Sequence, residues 1–374
     1  MKKALFTVCF LMGCLITLSA QHAGGRVENL PGERSALCVR SAQYPRVLPD
    51  SRAMFKIKAP QAQRVQLDLG KKYDMVRNEA GEWTCTTEPL GPGFHYYFVI
   101  IDGVPVADPS SESFFGCSMM TSGIEIPYPD GDNRFSLADV PHGVVRMKRY
   151  FSKTANDWRR MFVYTPAGYD KGTESYPVLY LLHGGGEDER GWAKQGLTDI
   201  MMDNLIAKNE AVPMIIVMLD GNSRDFNSEL FNDCIPLVEK TYRVKTGKGN
   251  RALAGLSMGG IQTLNASITH PDEFSYIGVF SSGWWAKDRA GRPAMDTEKY
   301  YALLKEHKDE YNSGFKQFWF SMGGKEDIAY QNCQIMLKRF DEIGIKYTYF
   351  ETPGGHTWPV WRESLYRFAQ LLYK

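Results

Sequence analysis

The sequence lacks several features that mark large classes of protein. It has no excess of one charge, since 44 Lys and Arg residues stand beside 43 Asp and Glu residues and the formal net charge is +1. It also has no basic run, so the electrostatic attraction that dominates nucleic-acid binding is missing. No internal repeat or low-complexity tract occurs, and 43% of the residues are hydrophobic. These observations exclude a disordered chain and a coiled coil, and they predict no nucleic-acid partner.

Cysteines are few and scattered. There are seven in 374 residues, without a C-x-x-C pair or a Cys/His cluster at metal-ligand spacing. Two lie near the N-terminus, and the remaining five are Cys38, Cys85, Cys117, Cys234 and Cys333. We therefore expect buried free thiols and at most one isolated disulfide. We expect no metal ion and no other cofactor.

Long apolar runs are also missing, except near the N-terminus. There, two lysines precede an apolar run over residues 4–18, and a small Ser-Ala pair follows. This pattern predicts a secretory signal peptide over residues 1–20, because the run is shorter than the roughly 20 residues of a membrane-spanning helix. An alternative is a lipoprotein signal, in which residues 11–14 (LMGC) would leave a lipid-modified Cys14. The sequence predicts an exported protein, periplasmic or extracellular, without a membrane span.

The region over residues 21–130 has the pattern of an all-β domain. It contains short alternating runs that Pro and Gly interrupt, at residues 53–58, 64–69, 83–87, 94–101 and 123–126. Such runs predict a small antiparallel β-sandwich. The turn-rich segment over residues 128–132 (YPDGD) then predicts a linker to the next domain.

The pattern changes over residues 141–374, where apolar strand-like runs alternate with amphipathic segments of helix length. These helix-length segments lie at residues 192–208, 229–242, 258–268, 297–310, 328–343 and 360–372. Such alternation predicts an α/β domain with a mainly parallel sheet and helices on both faces. Because ligands bind such domains at the carboxyl ends of the strands, functional residues are expected in the loops after strand-like runs.

One of these loops carries a nucleophile motif. Gly255, Ser257 and Gly259 form a G-x-S-x-G sequence between a strand-like and a helix-like run, which is the context that a nucleophile elbow requires. The glycines permit the sharp turn that exposes a serine hydroxyl. The sequence therefore predicts Ser257 as a catalytic nucleophile.

Two further loops offer the base and the acid that a serine nucleophile needs. The loop after the last strand-like run supplies a base at His356. The loop that follows residues 318–322 contains two candidate acids, Glu326 and Asp327. We favour Asp327, although Asp is also a preferred cap for the helix expected to begin at Ile328. The chain order of nucleophile, acid and base is that of the α/β-hydrolases.

A glycine-rich loop is the candidate oxyanion hole. His183 and the three glycines after it follow an early strand-like run, where backbone donors to a tetrahedral oxyanion are expected. We assign one donor amide to Gly185, with Gly186 as the alternative, and the other to Met258. His183 then supports this loop and is not the base.

Aromatic residues near these loops are candidates for substrate contacts. Trp284 and Trp285 follow a strand-like run, and Trp358 lies two residues after the candidate base. Together with Trp192 they would form an aromatic acyl pocket, and ordinary burial in the core is the alternative.

The motifs YLLHGGG, GLSMGG, GGKED and PGGHTWPVW give residues 141–374 a resemblance to the esterase D-like α/β-hydrolases. Within that group, the region resembles the feruloyl and acetyl-xylan esterases of carbohydrate esterase family 1. The resemblance implies a triad of Ser257, Asp327 and His356, with oxyanion donors in the HGGG loop and at Met258. At Glu187 the loop departs from many members of the family, which have a further apolar residue and glycine, so the identity of the donor amide stays open.

A second resemblance concerns the β domain. Residues 91–103 (GPGFHYYFVIIDG) resemble the immunoglobulin-like module, related to carbohydrate-binding family 48, that precedes esterases of this type. The aromatic residues Trp83, Tyr96 and Tyr97 would stack on sugar or, as alternating strand residues, belong to the core.

Together, the two resemblances imply a secreted serine esterase that removes feruloyl groups from plant-wall arabinoxylan. An acetyl-xylan esterase is the alternative within the same chemistry. A carbohydrate-binding protein without activity is the third hypothesis, against which the intact triad argues. The implied partners are feruloylated or acetylated xylan oligosaccharides, and the oligomeric state stays open.

Overall fold

The computed structural model describes residues 30–285 and 295–374. The predicted signal peptide over residues 1–20, like the alternative lipid-modified Cys14, lies outside the described residues. Across the two described ranges, no helix has both the length and the apolar character needed to cross a lipid bilayer.

The first part of the described chain is built from strands. They are β1 (Glu33–Arg34), β2 (Arg46–Val47), β3 (Arg52–Lys58), β4 (Val65–Asp68), β5 (Lys72–Asp74), β6 (Val76–Arg77), β7 (Glu82–Pro89), β8 (Gly93–Ile101), β9 (Val104–Val106), β10 (Ser113–Gly116) and β11 (Met119–Ile126). Two antiparallel sheets result, with the orders β1-β2-β3-β7-β6 and β10-β11-β8-β4-β5, and β9 pairs with β8.

These two sheets pack face to face. Phe55 of β3 and Tyr97 of β8 are fully buried between them, with 4.9 Å between their ring centroids. Trp83 of β7 belongs to the same core. The predicted β-sandwich is therefore confirmed, and residues 33–126 are called the β-sandwich module below.

The second part of the chain contains a separate sheet. Its strands are β12 (Val144–Ser152), β13 (Asp157–Thr165), β14 (Val178–Leu182), β15 (Ile215–Leu219), β16 (Arg251–Leu256), β17 (Tyr276–Phe280), β18 (Gln317–Met322) and β19 (Thr348–Glu351). Their order is β12-β13-β15-β14-β16-β17-β18-β19. The strands from β15 to β19 in this order are parallel, whereas β12 and β13 are antiparallel to their neighbours. The predicted mainly parallel sheet is confirmed.

Helices cover both faces of this sheet. They are α1 (Gly191–Lys194), α2 (Thr198–Ala207), α3 (Phe226–Glu229), α4 (Ile235–Thr241), α5 (Met258–Thr269), α6 (Glu298–Glu306), α7 (Lys308–Gly314), α8 (Tyr330–Ile343) and α9 (Trp358–Ala369). In β14, Leu179 and Leu181 pack into one hydrophobic cluster with α2 and α9. Tyr180 and Leu182 pack into another with α5 and α8. Burial on both faces explains the uninterrupted apolar sequence of β14.

Two predicted helices are interrupted in the structure. The helix expected over residues 192–208 breaks at Leu197, whose φ is 48°, and a Cβ on Gly196 would lie 2.5 Å from the Trp192 backbone oxygen. The helix expected over residues 297–310 divides between α6 and α7. Neither break involves proline, the residue that ends helices most visibly in a sequence.

The module and the second sheet share a hydrophobic core. Phe94 of β8 and Phe114 of β10 belong to the same buried cluster as Trp358 of α9. The buried Arg362 guanidinium of α9 donates to the Glu125 carboxylate of β11 at 2.6 Å. These contacts place the module beside the carboxyl edge of the parallel strands.

Candidate active site

Ser257 occupies a strained turn between β16 and α5. Its φ of 50° and ψ of −115° form a combination that residues other than glycine rarely adopt. The Ser257 amide donates to Phe280 O at 2.9 Å and fixes the turn to β17. A Cβ on Gly259 would lie 2.5 Å from His183 O, so only glycine lets α5 approach the end of β14. This is the strand-turn-helix context that the G-x-S-x-G motif requires.

Three side chains at the carboxyl edge form a hydrogen-bonded chain. Ser257 Oγ donates to His356 Nε2 at 2.9 Å, and His356 Nδ1 donates to Asp327 Oδ1 at 2.9 Å. They come from the loops after β16, β19 and β18 respectively. This geometry lets the imidazole take the serine proton while the carboxylate stabilises the positive charge that develops.

The Asp327 carboxylate is buried and serves two donors. Besides His356, its Oδ1 accepts from the Ala329 amide at 2.9 Å, just before α8. The helix-capping interpretation is wrong, because α8 begins at Tyr330 and not at Ile328, and its N-cap residue Ala329 has no side-chain cap. The orienting role of Asp327 stays a prediction. Burial alone would raise the pKa of Asp327, but the hydrogen bond to His356 and the charge of His356 outweigh it and lower this pKa. Glu326, the other candidate acid, is exposed.

The loop after β14 runs beside the nucleophile turn. A Cβ on Gly185 would lie 3.9 Å from the Met258 Cβ, an ordinary van der Waals distance. Met258 is the first residue of α5, so its amide has no partner within the helix. The Gly186 carbonyl oxygen instead accepts from the Ser118 amide of the module at 2.8 Å. Gly185 therefore lies beside Met258, and the assignment of the donor amide to Gly185, with Gly186 as the alternative, stays a prediction.

His183 is buried within the same loop. The Gly221 amide donates to its Nε2 at 2.9 Å, and its Nδ1 donates to Gly184 O at 2.8 Å. Both ring nitrogens are therefore engaged with the backbone, and Nε2 also lies 3.4 Å from Asp220 Oδ1. The side chain supports the loop and is not available as a base for Ser257.

Residues 152–371, more than half of the chain, match the family model described as a putative esterase. The chain belongs to this esterase family. The predicted resemblance to esterases and the predicted α/β-hydrolase fold, preceded by an all-β module, are thereby confirmed.

Known relatives extend this comparison. The esterase is 34% identical over 355 residues, 89% of the chain, to an endo-1,4-beta-xylanase/feruloyl esterase of Xylanibacter ruminicola, and it spans 46% of that relative's length. A solved ferulic acid esterase of Anaeromyces mucronatus in complex with ferulic acid has a TM-score of 0.58 at 24% identity, covering 66% of this chain and 96% of that one. The enterobactin esterase of Shigella flexneri has a TM-score of 0.67 at 19% identity, covering 85% and 92%. At these identities, the two structures show the fold alone.

The predicted aromatic acyl pocket is corrected for two of its tryptophans. Trp284 is 2% exposed, stacks on Tyr300 with 5.0 Å between ring centroids, and donates from Nε1 to Asn265 Oδ1. Trp192 is 1% exposed and donates from Nε1 to Leu182 O. Both rings are enclosed in the core, so neither offers a face to a substrate.

The other two predicted substrate contacts lie elsewhere. Trp285 packs partly buried against the core, and its contact with substrate stays a prediction. Trp358 is also largely buried, but it borders a cleft beside His356. Its Nε1 donates to the Glu187 carboxylate at 2.9 Å. Trp358 therefore shapes one wall of the site.

The cleft beside His356 has a volume of about 380 Å³ and lies between the two parts of the chain. Its walls include Trp358 and Trp361 of the esterase region and Tyr96, Phe98 and Cys117 of the module. Sequence reasoning missed the module wall, because contacts between domains leave no periodic pattern in either domain. The one available signal was Glu187, whose departure from the family pattern coincides with a hydrogen bond to Tyr96.

The cysteines of the described chain are free thiols. Cys38, Cys234 and Cys333 are buried, Cys85 is half-buried and Cys117 is exposed. Within the described residues, no group of His, Cys, Asp and Glu side chains is arranged to hold a metal ion. Cys117 is therefore the exposed thiol that borders the cleft.

Proposed function

We propose that this esterase removes hydroxycinnamoyl groups, chiefly feruloyl groups, from plant-wall arabinoxylan. The observation that carries the proposal is the hydrogen-bonded chain from Ser257 through His356 to Asp327, with both distances at 2.9 Å. The feruloyl group is supported by the 34% identity to a relative named as a xylanase and feruloyl esterase. Acetyl-xylan hydrolysis by the same triad is the alternative.

The reaction has an acylation and a deacylation half. Ser257 Oγ attacks the ester carbonyl carbon while its proton passes to His356 Nε2, and backbone amides of the oxyanion loop and α5 donate to the oxyanion. The bond to the leaving sugar oxygen then breaks, and His356 gives that oxygen the proton. Water repeats the attack on the acyl-enzyme with His356 as base, which releases the carboxylic acid and restores Ser257. Asp327 stays ionised and stabilises the imidazolium.

The sugar part of the substrate is expected on the His356 side of the scissile bond, because His356 protonates the leaving oxygen. The cleft of about 380 Å³ lies on that side. A second groove of about 510 Å³ continues from it across the module sheet that contains β4 and β8. The cleft and the groove share Asp68, Phe98 and Cys117. We infer that the glycan chain follows these two concavities.

This function fits a two-domain, exported enzyme. In the proposal, the signal peptide covers residues 1–20, the module domain residues 21–130 and the esterase domain residues 141–374. The module positions feruloylated or acetylated xylan oligosaccharides, and the esterase domain carries the triad.

Side-by-side kinetics on methyl ferulate, feruloylated arabinoxylan and acetylated xylan test the acyl preference. We expect ferulate release from the first two substrates, and acetate release with a kcat/KM about 100-fold lower, the scale on which a pocket discriminates acyl groups. A higher kcat/KM for acetate release than for ferulate release would favour the acetyl-xylan alternative.

The exposed thiol of Cys117 offers a test of the glycan path. A bulky maleimide attached there should obstruct both concavities. We expect the modified enzyme to release ferulate from feruloylated arabinoxylan about tenfold more slowly, with a smaller loss on methyl ferulate, which carries no glycan. The Cys117→Ser variant, treated identically, controls for labelling at other thiols and should not respond to the reagent. Equal losses on both substrates, or none, would contradict this path.

A further inference from the structure

Glu187 is a buried carboxyl group that the mechanism above does not use. It follows the candidate oxyanion loop and is 4% exposed. Its Oε1 accepts from the Tyr96 hydroxyl of β8 and from Trp358 Nε1 of α9, both at 2.9 Å. One carboxylate oxygen therefore joins three segments: the oxyanion loop, the module and the segment that carries His356.

The groups around Glu187 are themselves held in place. Gln195 Nε2 donates to the Tyr96 hydroxyl at 2.6 Å and to Phe115 O at 3.1 Å. The Tyr96 hydroxyl thus accepts from Gln195 and, at 3.1 Å, from Trp358 Nε1, and it donates to Glu187, so its donor and both acceptor positions are used. The backbone of Glu187 is fixed as well, because Asn222 Nδ2 donates to its carbonyl oxygen at 2.8 Å.

The environment of this carboxyl group is unfavourable for its charge. Its second oxygen, Oε2, is buried, and no described group forms a hydrogen bond with it. Burial raises the pKa of Glu187 to about 7, although its two donors and nearby His183 favour the ionised form. A buried carboxyl group with one oxygen that accepts no hydrogen bond contributes little to folding stability, and such groups concentrate at functional sites.

We propose that Glu187 is a positioning residue for catalysis, which fixes the position of the oxyanion loop relative to the segment that carries His356. It does so through Tyr96 and Trp358, so that the module completes the active site. Without the carboxylate, the buried Tyr96 hydroxyl would lose its acceptor and Trp358 Nε1 would keep only its 3.1 Å contact with that hydroxyl. The loop amides would then move away from the oxyanion. Because these amides act mainly on the transition state, kcat should fall while KM changes little. The inference rests on the proposed triad and oxyanion donors.

Three variants and a matched control test the proposal in the full chain. Glu187→Ala removes the acceptor, Glu187→Gln keeps an acceptor oxygen of equal reach, and Tyr96→Phe removes one donor. Tyr97→Phe is the control, because neighbouring Tyr97 donates at 2.8 Å to the buried carboxylate of Asp108 inside the module core. The assay is hydrolysis of p-nitrophenyl acetate, with active sites titrated by a serine-directed organophosphonate. This ester carries neither a feruloyl group nor a glycan, so a wrong substrate class leaves the comparison intact.

We expect kcat per titrated site to fall about 100-fold in Glu187→Ala and about tenfold in Tyr96→Phe, with KM within about twofold of wild type. Glu187→Gln should recover most of the loss, and Tyr97→Phe should keep the wild-type kcat. The proposal is overturned if Glu187→Ala and Tyr96→Phe both keep a wild-type kcat, or if Tyr97→Phe loses as much as Tyr96→Phe. Where Glu187→Ala does not fold, the comparison of Tyr96→Phe with Tyr97→Phe decides alone.

Discussion

Ser257→Ala is expected to lower kcat for ester hydrolysis by about 10⁴-fold or more while leaving the fold intact. The substitution removes the hydroxyl that donates to His356 Nε2 at 2.9 Å. The turn itself is held by backbone contacts, and alanine at a φ of 50° carries the strain that serine already has. Initial rates on methyl ferulate measure the loss, and a thermal unfolding curve followed by circular dichroism measures the fold.

Ser267→Ala is the matched control for this variant. Ser267 is a fully buried serine of the same helix, α5, and its hydroxyl donates to Leu264 O at 3.2 Å. Its loss removes a buried hydroxyl without touching the triad, so kcat should stay within about twofold of wild type. Near-normal turnover by a folded Ser257→Ala protein would reject the nucleophile and, with it, the proposed mechanism.

A second large loss is expected for Asp327→Asn. The neutral amide cannot stabilise the imidazolium, and it can present an N–H donor to a ring nitrogen that needs an acceptor, so kcat should fall by about 10³- to 10⁴-fold. Glu326→Gln should cost far less, because Glu326 is exposed. A comparison of kcat/KM between Asp327→Asn and Glu326→Gln, which each neutralise one carboxylate, identifies the residue that acts as the acid. A greater loss in Glu326→Gln would move the acid by one residue and leave the rest of the mechanism unchanged.

The positions of the loops that carry Ser257, Asp327 and His356 could be predicted from sequence because their signals are local. The glycines that permit the turn at Ser257 lie within five consecutive positions of the chain. The apolar runs of β14, β16 and β18 indicate buried parallel strands, so the loops after them are expected at the same edge of the sheet. The sequence favours Asp327 over Glu326 but carries no signal for which of the two side chains is buried. The two residues are neighbours in one loop, yet one is buried against His356 and the other is exposed.

The contribution of the module could not be predicted in this way. Tyr96 alternates with buried Tyr97 along β8, and nothing nearby shows that its hydroxyl meets a carboxylate 91 residues further along the chain. Such a contact depends on how two domains dock, which neither periodicity nor a motif encodes. The short strands β5 and β9 were missed for a simpler reason, since three residues are too few to show alternation.

Trp284 illustrates another limit of sequence reasoning. An aromatic residue after a strand has the same sequence pattern whether its ring faces a cleft or a neighbouring helix. Here Tyr300 of α6 covers the ring, and this packing becomes visible only when the helix is placed.

The hydrophobic cluster that β8 and β10 share with α2 and α9 has a consequence for how this protein can evolve. A binding module on a flexible linker can be gained or lost by recombination, because neither partner depends on the other for its core. Here Phe94 and Phe114 complete a cluster that includes Trp358, so losing the module would expose apolar surface close to His356. The two parts therefore depend on each other to close this cluster, and an exchange of the module would have to rebuild that surface in the same step.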